Sequence, residues 1–363
     1  MRLVLTLPGL VAADPPPASP ALARLLAAAG PPVPEPRGLA AALAAEYGVT
    51  APAGSDVPLA PLLAAAAGAP VDDAYWLLAD PVTLVAGRDD VLLAGRVDDL
   101  SVDETAALLV TLNAHFSADG IAFVAPAPSA WFVRMAATPA LLAPAPDTAA
   151  GRPLRDLLPR GADAPRWRRW QHEVQMLLHA HPVTQARAAA GRAAATSVWF
   201  WGGGRAADAK PAGAVAAVAM TGGAVPAGTG PRPGATAIDA RGGAGGIVTW
   251  GGDRVAVALA QATGTPARAL PREPAGVLAV DVPVQVVVLP AGTADAALAD
   301  AFASSAWTAL LRGRVSEVTV IADGAGVAWR WSARRPGFAA RVAARAAWRG
   351  PPLAPLLAAA RDA

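Results

Sequence analysis

Apolar residues with strand or helix spacing recur along most of the chain. Continuous or alternating apolar runs predict buried strands, and apolar positions three or four apart predict helices. Ser101 followed by Glu104 predicts a capping box at the start of one helix. Pro182 ends another helix, and a further helix closes at Gly191. The predicted strands are 2–7, 75–85, 91–94, 121–124, 131–135, 197–201, 214–220, 282–289 and 317–321. The other predicted helices are 22–29, 39–47, 101–116 and 295–311. Residues 247–259 are predicted to alternate between strand and helix, and residues 329–335 to form an aromatic and basic turn.

This order of elements predicts an α/β fold with a core sheet flanked by helices. Residues 72–166 have the order β-β-α-β-β, which predicts an inserted small α+β domain. The core is then formed by residues 1–71 and 167–338. Residues 339–363 are predicted to be an alanine-rich helical tail.

Residues 171–210 are the segment around which the predicted fold is organised. A short buried strand at 197–201 is followed by three glycines, which are predicted to form a flexible loop. Open α/β sheets bind ligands beyond the carboxyl ends of their strands, so this loop is a candidate ligand or partner surface. The alternative is that the glycines are structural, since a strand entering a tight turn needs residues without a Cβ. The predicted surface comprises His181, Arg187, Trp199, Trp201, Gly202, Gly203, Gly204 and Arg205.

The amino-acid composition limits the classes of protein to which the chain can belong. The chain of 363 residues is 54% hydrophobic with a mean hydropathy of +0.37, but much of this is alanine. No run reaches the roughly 20 strongly apolar residues of a spanning helix, so no membrane association is predicted. The net charge is only +2, and there is no cysteine for disulfides or thiolate chemistry. Residues 1–13 could be a signal peptide, but a first buried strand and a cytoplasmic protein are the preferred interpretation.

Arginines and tryptophans alternate at 166–170, a pattern that could also suggest a nucleic-acid surface. At the start of a helix, the preferred interpretation is a solvated basic face with the tryptophans packed inward. No second basic cluster adjoins this segment in the sequence. We therefore predict no nucleic-acid partner.

The segment also resembles a known family. The residues that carry the resemblance are His181-Pro182-Val183, Arg187, Gly191, Trp199-Phe200-Trp201 and Gly202-Gly203-Gly204. They resemble the archaeal-type cofactor-independent phosphoglycerate mutases. The resemblance is closer still to proteobacterial phosphoglycerate-mutase-like proteins labelled regulators of pathogenicity-factor expression. The mutases belong to the alkaline phosphatase superfamily, so the resemblance implies an alkaline-phosphatase-like core and a two-metal phosphotransferase fold.

The resemblance also implies a set of reactive residues, which this chain keeps only in part. Ser55 matches the phosphorylated serine of a Gly-Ser-Asp element, although the same tripeptide could be an ordinary turn and helix cap. Pro8 stands where the mutases have a metal-binding aspartate. Asp323 is kept, but Gly324 replaces the histidine that follows it in the family, and no histidine occurs after His181.

Two-metal phosphoryl transfer requires carboxylate and imidazole ligands around both ions. Ser55, Asp295 and Asp323 alone would form a weak oxygen site, suited at best to one Mg²⁺ or Mn²⁺. The sequence therefore predicts a catalytically degenerate relative that acts as a regulatory or binding protein. In that case no metal and no cofactor are expected, and the partner is an unidentified small ligand or protein.

Two alternatives remain open. One is a metal-dependent mutase or phosphatase with an atypical site that uses Mn²⁺ or Mg²⁺, and the other is a structural subunit.

Overall fold

The computed structural model describes residues 1–87, 90–146, 154–210, 246–290, 296–324, 327–335, 337 and 352–361. They form two compact units. The first unit comprises Met1–Val33 with the described parts of Gly213–Ala322 and Trp329–Ala363. The second unit comprises the described parts of Pro34–Ala212 together with Asp323–Ala328.

The elements alternate between strands and helices along the chain. The strands are β1 Arg2–Leu7, β2 Val33–Glu35, β3 Tyr75–Ala86, β4 Val91–Arg96, β5 Ile121–Ala127, β6 Ala130–Met135, β7 Ser197–Gly204, β8 Ile247–Trp250, β9 Ala267–Arg268, β10 Val284–Val288, β11 Glu317–Gly324 and β12 Val327–Arg334. The helices are α1 Pro20–Ala29, α2 Gly38–Glu46, α3 Leu59–Ala66, α4 Val102–Phe116, α5 Ala164–His179, α6 Pro182–Ala189, α7 Arg254–Ala262, α8 Ala275–Leu278, α9 Ala296–Arg312 and α10 Leu353–Arg361.

A seven-stranded sheet has the order β2-β12-β11-β1-β10-β8-β9. Its centre is parallel, because β1 pairs with both β10 and β11, and β10 pairs with β8. Parallel strands are covered on both faces, which explains their nearly continuous apolar sequences. Val4, Val286 and Ile321 are fully buried. The predicted mixed α/β class, with a central sheet flanked by helices, is confirmed.

Helix α1 packs against two other helices of the first unit, α9 and α10. Ser19 caps α1 and donates a hydrogen bond from its hydroxyl to Asp300 of α9 at 2.8 Å. Helix α10 buries Leu353 and Leu357, which lie one turn apart. The described part of the predicted tail is therefore helical, while residues 338–351 lie outside the described residues.

The second unit contains a five-stranded sheet with the order β4-β3-β6-β5, in which β7 also pairs with β3. Its neighbouring strands pair antiparallel. Aromatic rings fill the core beneath it. Trp167 lies 5.0 Å from Phe200 and 5.1 Å from Trp170, centroid to centroid, in edge-to-face contacts. Arg166, Arg168 and Arg169 face outward on the same helix, so the tryptophans of this segment pack inward as predicted.

Polar side chains cap the start of helix α4 and attach the helix to strand β5. The predicted capping box is confirmed, since Ser101 and Glu104 exchange hydrogen bonds of 2.8 and 3.1 Å with each other's backbone amides. Asn113 then clamps the backbone of Phe123 in β5. It accepts the Phe123 N–H at 2.7 Å and donates its amide to the Phe123 carbonyl at 3.0 Å. The Asn113 side chain thus takes the place of a neighbouring strand.

The structure differs from the sequence prediction at two elements. Residues 202–204 belong to β7 rather than to a loop, because they continue the pairing with β3. Residues 329–334, predicted as a turn, belong to strand β12, in which Trp329 and Trp331 are buried. The predicted strand at 214–220 lies outside the described residues.

The second unit is also larger than the predicted insertion at 72–166. Strand β7 joins the sheet begun by β3, and α3 and α5 both contact β7. Contacts therefore group the segment with residues on both sides of the predicted boundaries.

No helix within the described ranges combines the length and apolar character needed to cross a bilayer.

Candidate functional site

The second unit encloses a cavity of about 390 Å³. Its walls come from the segment before α2 and the first turn of α2, the segment before α3 and the start of α3, the loops at 142–145 and 157–160, the end of β7 and the start of β12. The apolar lining includes Leu59, Leu142, Leu157 and Trp201, and the polar lining includes Arg37, Ser55, Asp56 and Arg160. A volume of this size suits a small molecule.

Ser55 and Asp56 reach the cavity wall through a tight turn. Gly54 has a φ of +74°, and the Ser55 amide donates to the Pro52 carbonyl at 3.2 Å. Helix α3 begins after Pro58 and has no side-chain cap. Gly54-Ser55-Asp56 therefore forms a turn, but it does not cap the helix. Both polar side chains remain available to the cavity.

Asp56 is the acidic residue of the cavity lining, and its pKa is shifted. Burial raises its pKa to about 7. A hydrogen bond of 3.1 Å from the Ala143 amide to Oδ2 and the charge of Arg37 act in the opposite direction and only partly offset the burial. Oδ1 accepts no hydrogen bond from any described residue. Near neutral pH the cavity thus holds a carboxyl group that is close to half ionised and short of partners.

Changing Asp56 to Asn is expected to stabilise the protein by about 2 kcal/mol at about pH 8 and to change its stability little at about pH 4. The folded-state pKa lies above the unfolded value, so between the two values the folded protein binds more protons than the unfolded one. The free energy of unfolding therefore falls as the pH rises through that interval. Asn cannot ionise and avoids this loss, although its buried amide donors offset part of the gain. Denaturant unfolding of both proteins at the two pH values measures the effect, and an equal difference at both would contradict it.

The two tryptophans of β7 are buried and bonded within the second unit. Trp199 donates from Nε1 to the Pro144 carbonyl at 2.7 Å, and Trp201 donates to Asp80 at 2.7 Å. Phe200 between them is part of the aromatic core. Strand alternation explains this division, because successive side chains point to opposite faces of a sheet. Trp201 reaches the cavity wall, and Trp199 holds the 142–145 loop beside it.

The three glycines of β7 each meet a structural requirement. Gly202 has a φ of +63° where the register with β3 shifts between Trp76 and Leu78, as expected for a glycine in a β-bulge. A Cβ at Gly203 would lie 2.8 Å from Tyr75 Cζ, and one at Gly204 would lie 2.9 Å from Pro58 Cα. Backbone conformation thus accounts for Gly202, which also lines the cavity, and close packing accounts for Gly203 and Gly204.

His181, Arg187 and Arg205 are engaged with their own chain. His181 caps α6, with Nδ1 accepting the Val183 amide at 3.2 Å. Arg187 is 2% exposed and forms ion pairs with Asp99 and, at 2.9 Å, with Glu104. Arg205 donates hydrogen bonds to the Thr138 hydroxyl at 3.0 Å, to the Ala136 carbonyl at 2.8 Å and to the Asp73 carbonyl.

Of the residues singled out in the sequence, the cavity therefore brings together Ser55, Trp201 and Gly202. Asp323 is the penultimate residue of β11, is 4% exposed and is not part of the cavity lining. Asp295 lies outside the described residues. Within the described ranges, no three His, Asp or Glu residues are grouped so that they could hold a metal ion.

Sequence reasoning missed three charged residues of the site: Arg37, Asp56 and Arg160. Asp56 carried a usable signal, since it stands between Ser55 and an apolar segment that enters α3. The arginines carried none, because they lie in separate surface segments and only the fold brings them to one cavity.

No protein-family model and no curated protein sequence matches this chain. Among solved structures, it is similar to the cofactor-independent phosphoglycerate mutase from Thermoplasma acidophilum DSM 1728, with 12% sequence identity and a TM-score of 0.37 over 91% of this chain and 89% of that chain. It is also similar to the PH0037 protein from Pyrococcus horikoshii, with 11% identity and a TM-score of 0.42 over 92% of this chain and 87% of that chain.

Proposed function

We propose that this chain is a catalytically degenerate phosphoglycerate-mutase-like protein that binds a small ligand in the cavity beside Asp56. The observation that carries the proposal is the cavity itself, which joins an incompletely paired carboxyl group to an apolar wall. Concave sites with mostly apolar walls and a few polar groups are typical of small-molecule recognition. Its biological role is regulatory, in the cytoplasm, as in the regulators that the sequence resembles.

The sequence supports loss of the ancestral chemistry. Pro8 and Gly324 stand where the resemblance implies metal ligands, and no histidine occurs after His181. Two-metal catalysis depends on such ligands to hold both ions around the reacting oxygen. Because function resides in sites and not in the fold, a chain without these metal ligands can still bind a ligand in its cavity.

A second candidate is a metal-dependent mutase or phosphatase with an atypical Mn²⁺ or Mg²⁺ site. The observation that favours it is the position of Ser55 on the cavity wall, next to the charged groups of Arg37 and Asp56. A serine nucleophile would need this kind of access to substrate. Asp323 would then have to contribute to the metal site.

The purified full chain, assayed with added Mn²⁺, separates the two candidates. We expect conversion of 3-phosphoglycerate to 2-phosphoglycerate at the background rate, with no difference between the natural chain and Ser55→Ala. Metal content, measured by plasma mass spectrometry on protein prepared without chelator or affinity tag, gives an independent reading. Turnover that disappears in both Ser55→Ala and Asp323→Ala, together with stoichiometric metal, would establish the enzyme instead.

Ligand binding is tested with a thermal-shift screen of amino acids, carboxylic acids, sugar phosphates and nucleotides. We expect at least one compound to stabilise the natural chain but not Ala41→Phe, which places a ring in the cavity. Ala66→Phe is the matched control, because Ala66 is exposed on α3 and does not line the cavity. A hit that survives Ala41→Phe would locate binding elsewhere and contradict the proposal.

A further inference from the structure

The negative and positive groups that line the cavity lie at different depths. Asp56 is half-buried and supplies the negative group, whereas the two arginines, Arg37 and Arg160, are exposed at the opening. Arg37 donates from Nη1 to the Ser55 carbonyl at 3.3 Å, which holds its guanidinium beside Asp56. Its charge influences the carboxyl group, yet within the described chain the two do not form an ion pair. Asp56 and Arg37 thus carry opposite charges that are not paired directly with each other.

Arg160 offers a second cation at this opening. Its backbone exchanges hydrogen bonds of 2.8 and 2.9 Å with Leu142, which fixes the residue against the 142–145 loop. Its guanidinium forms no hydrogen bond or ion pair with any described residue. An anionic group at the opening would give this guanidinium a partner, and arginine binds carboxylates with two parallel N–H donors.

We propose that the cavity binds an α-amino acid with an apolar side chain, a specificity that rests on the binding function proposed above. The ammonium group donates to the free Oδ1 of Asp56, and the carboxylate accepts from Arg37 and Arg160. An α-amino acid carries both charged groups on its α-carbon, so one group can meet Asp56 while the other meets the arginines that line the same cavity. The apolar side chain then lies against Leu59, Leu142 and Trp201.

Other ligand charges fit this layout less well. A simple anion would be attracted by the arginines but would approach the Asp56 carboxyl group. A simple amine would satisfy Asp56 while facing two guanidinium groups. Only a zwitterion complements both signs, and complementary charges determine specificity at a partly desolvated site.

Binding should be coupled to proton release. An ammonium group beside Asp56 favours its ionised form, so binding lowers its pKa from about 7. Arg37 and Arg160 are the other charged residues that line the cavity, and burial raises the pKa of the neighbouring Tyr75, so its hydroxyl stays neutral. Affinity should therefore fall as the pH decreases below about 7, by roughly tenfold between about pH 8 and about pH 6.

Isothermal titration of the full chain with three related probes tests this specificity. L-leucine carries both charges, 4-methylpentanoate lacks the ammonium group, and 3-methylbutylamine lacks the carboxylate. We expect L-leucine to bind at least roughly tenfold more tightly than either truncated probe. Heats measured in buffers of different ionisation enthalpy should show about half a proton released per L-leucine at about pH 7.

Variants assign each charge to its residue. Asp56→Asn should remove the proton release and weaken L-leucine, and because this variant is expected to be stabilised, the loss will not reflect unfolding. Arg37→Gln and Arg160→Gln should weaken the binding of L-leucine without weakening that of 3-methylbutylamine.

Binding of 4-methylpentanoate as tight as that of L-leucine would show an anion site and overturn the proposal. Failure of all three probes while another screened compound still depends on Ala41 would refute the amino-acid specificity and leave the binding function standing. If no compound binds, both the amino-acid specificity and the proposed binding function are refuted.

Discussion

Replacing Gly204 with alanine is expected to lower the free energy of unfolding by about 3 kcal/mol. The new Cβ would overlap Pro58 Cβ and lie 2.9 Å from Pro58 Cα. A proline ring has little freedom to move aside, because it is closed onto the backbone. Gly204 itself is buried and held in β7 by its pairing with Trp76. Denaturant unfolding of the full chain, followed by tryptophan fluorescence, measures the loss.

Gly252→Ala is the matched control for this substitution. Gly252 is exposed, and a Cβ there meets no atom within 4 Å. Its stability should change by less than about 0.5 kcal/mol. If the two alanine variants unfold at the same denaturant concentration, close packing at Gly204 is not the reason for the glycine.

Removing the Asp80 carboxylate is the second large effect, with an expected loss of about 3 kcal/mol in Asp80→Ala. Asp80 is fully buried, accepts the Trp201 indole N–H at 2.7 Å and lies 3.7 Å from Arg96 Nε. Arg96 Nε is itself buried and has no hydrogen-bond acceptor among the described residues. Arg96 keeps its ion pair with Asp98 at 2.6 Å, but alanine at position 80 would leave its buried Nε without the nearest carboxylate and the indole N–H without this acceptor. Equilibrium unfolding in urea provides the measurement.

A double-mutant cycle isolates the part that belongs to the indole. Trp201→Phe removes the N–H but keeps an aromatic ring, and its cost should be smaller in the Asp80→Ala background by about 1 kcal/mol. Asp80→Asn keeps an oxygen that can accept from Trp201, so it should lose less stability than Asp80→Ala. Strictly additive losses would show that the Trp201–Asp80 hydrogen bond contributes nothing to folding.

Local sequence patterns predicted those elements that depend on neighbouring residues. The capping box at Ser101 and the buried strand β1 follow from side-chain chemistry and periodicity over a few positions. Strand β7 shows where this information ends. The sequence predicts a strand at 197–201 but not its pairing with β3, because residues such as Trp201 and Asp80 are 121 positions apart. Without that partner, Gly202 and its successors resemble a loop.

The candidate site was predictable to a similar degree. The resemblance identified Ser55, and the aromatic strand identified Trp201, both of which line the cavity. Arg187 illustrates the opposite outcome, because a conspicuous arginine in a promising segment is buried among carboxylates of its own fold. The difference between a ligand-binding and a structural arginine is its tertiary surroundings, which spacing along the chain does not encode.

The Asn113 clamp on β5 has a consequence for the protein at high concentration. A sheet edge with free N–H and C=O groups is a template on which another copy can add its own strand. Asn113 occupies both groups of Phe123 at that edge. Loss of Asn113 is therefore expected to lower the solubility of the protein before it lowers its folding stability. Molecules that are still natively folded would aggregate by adding strands to one another.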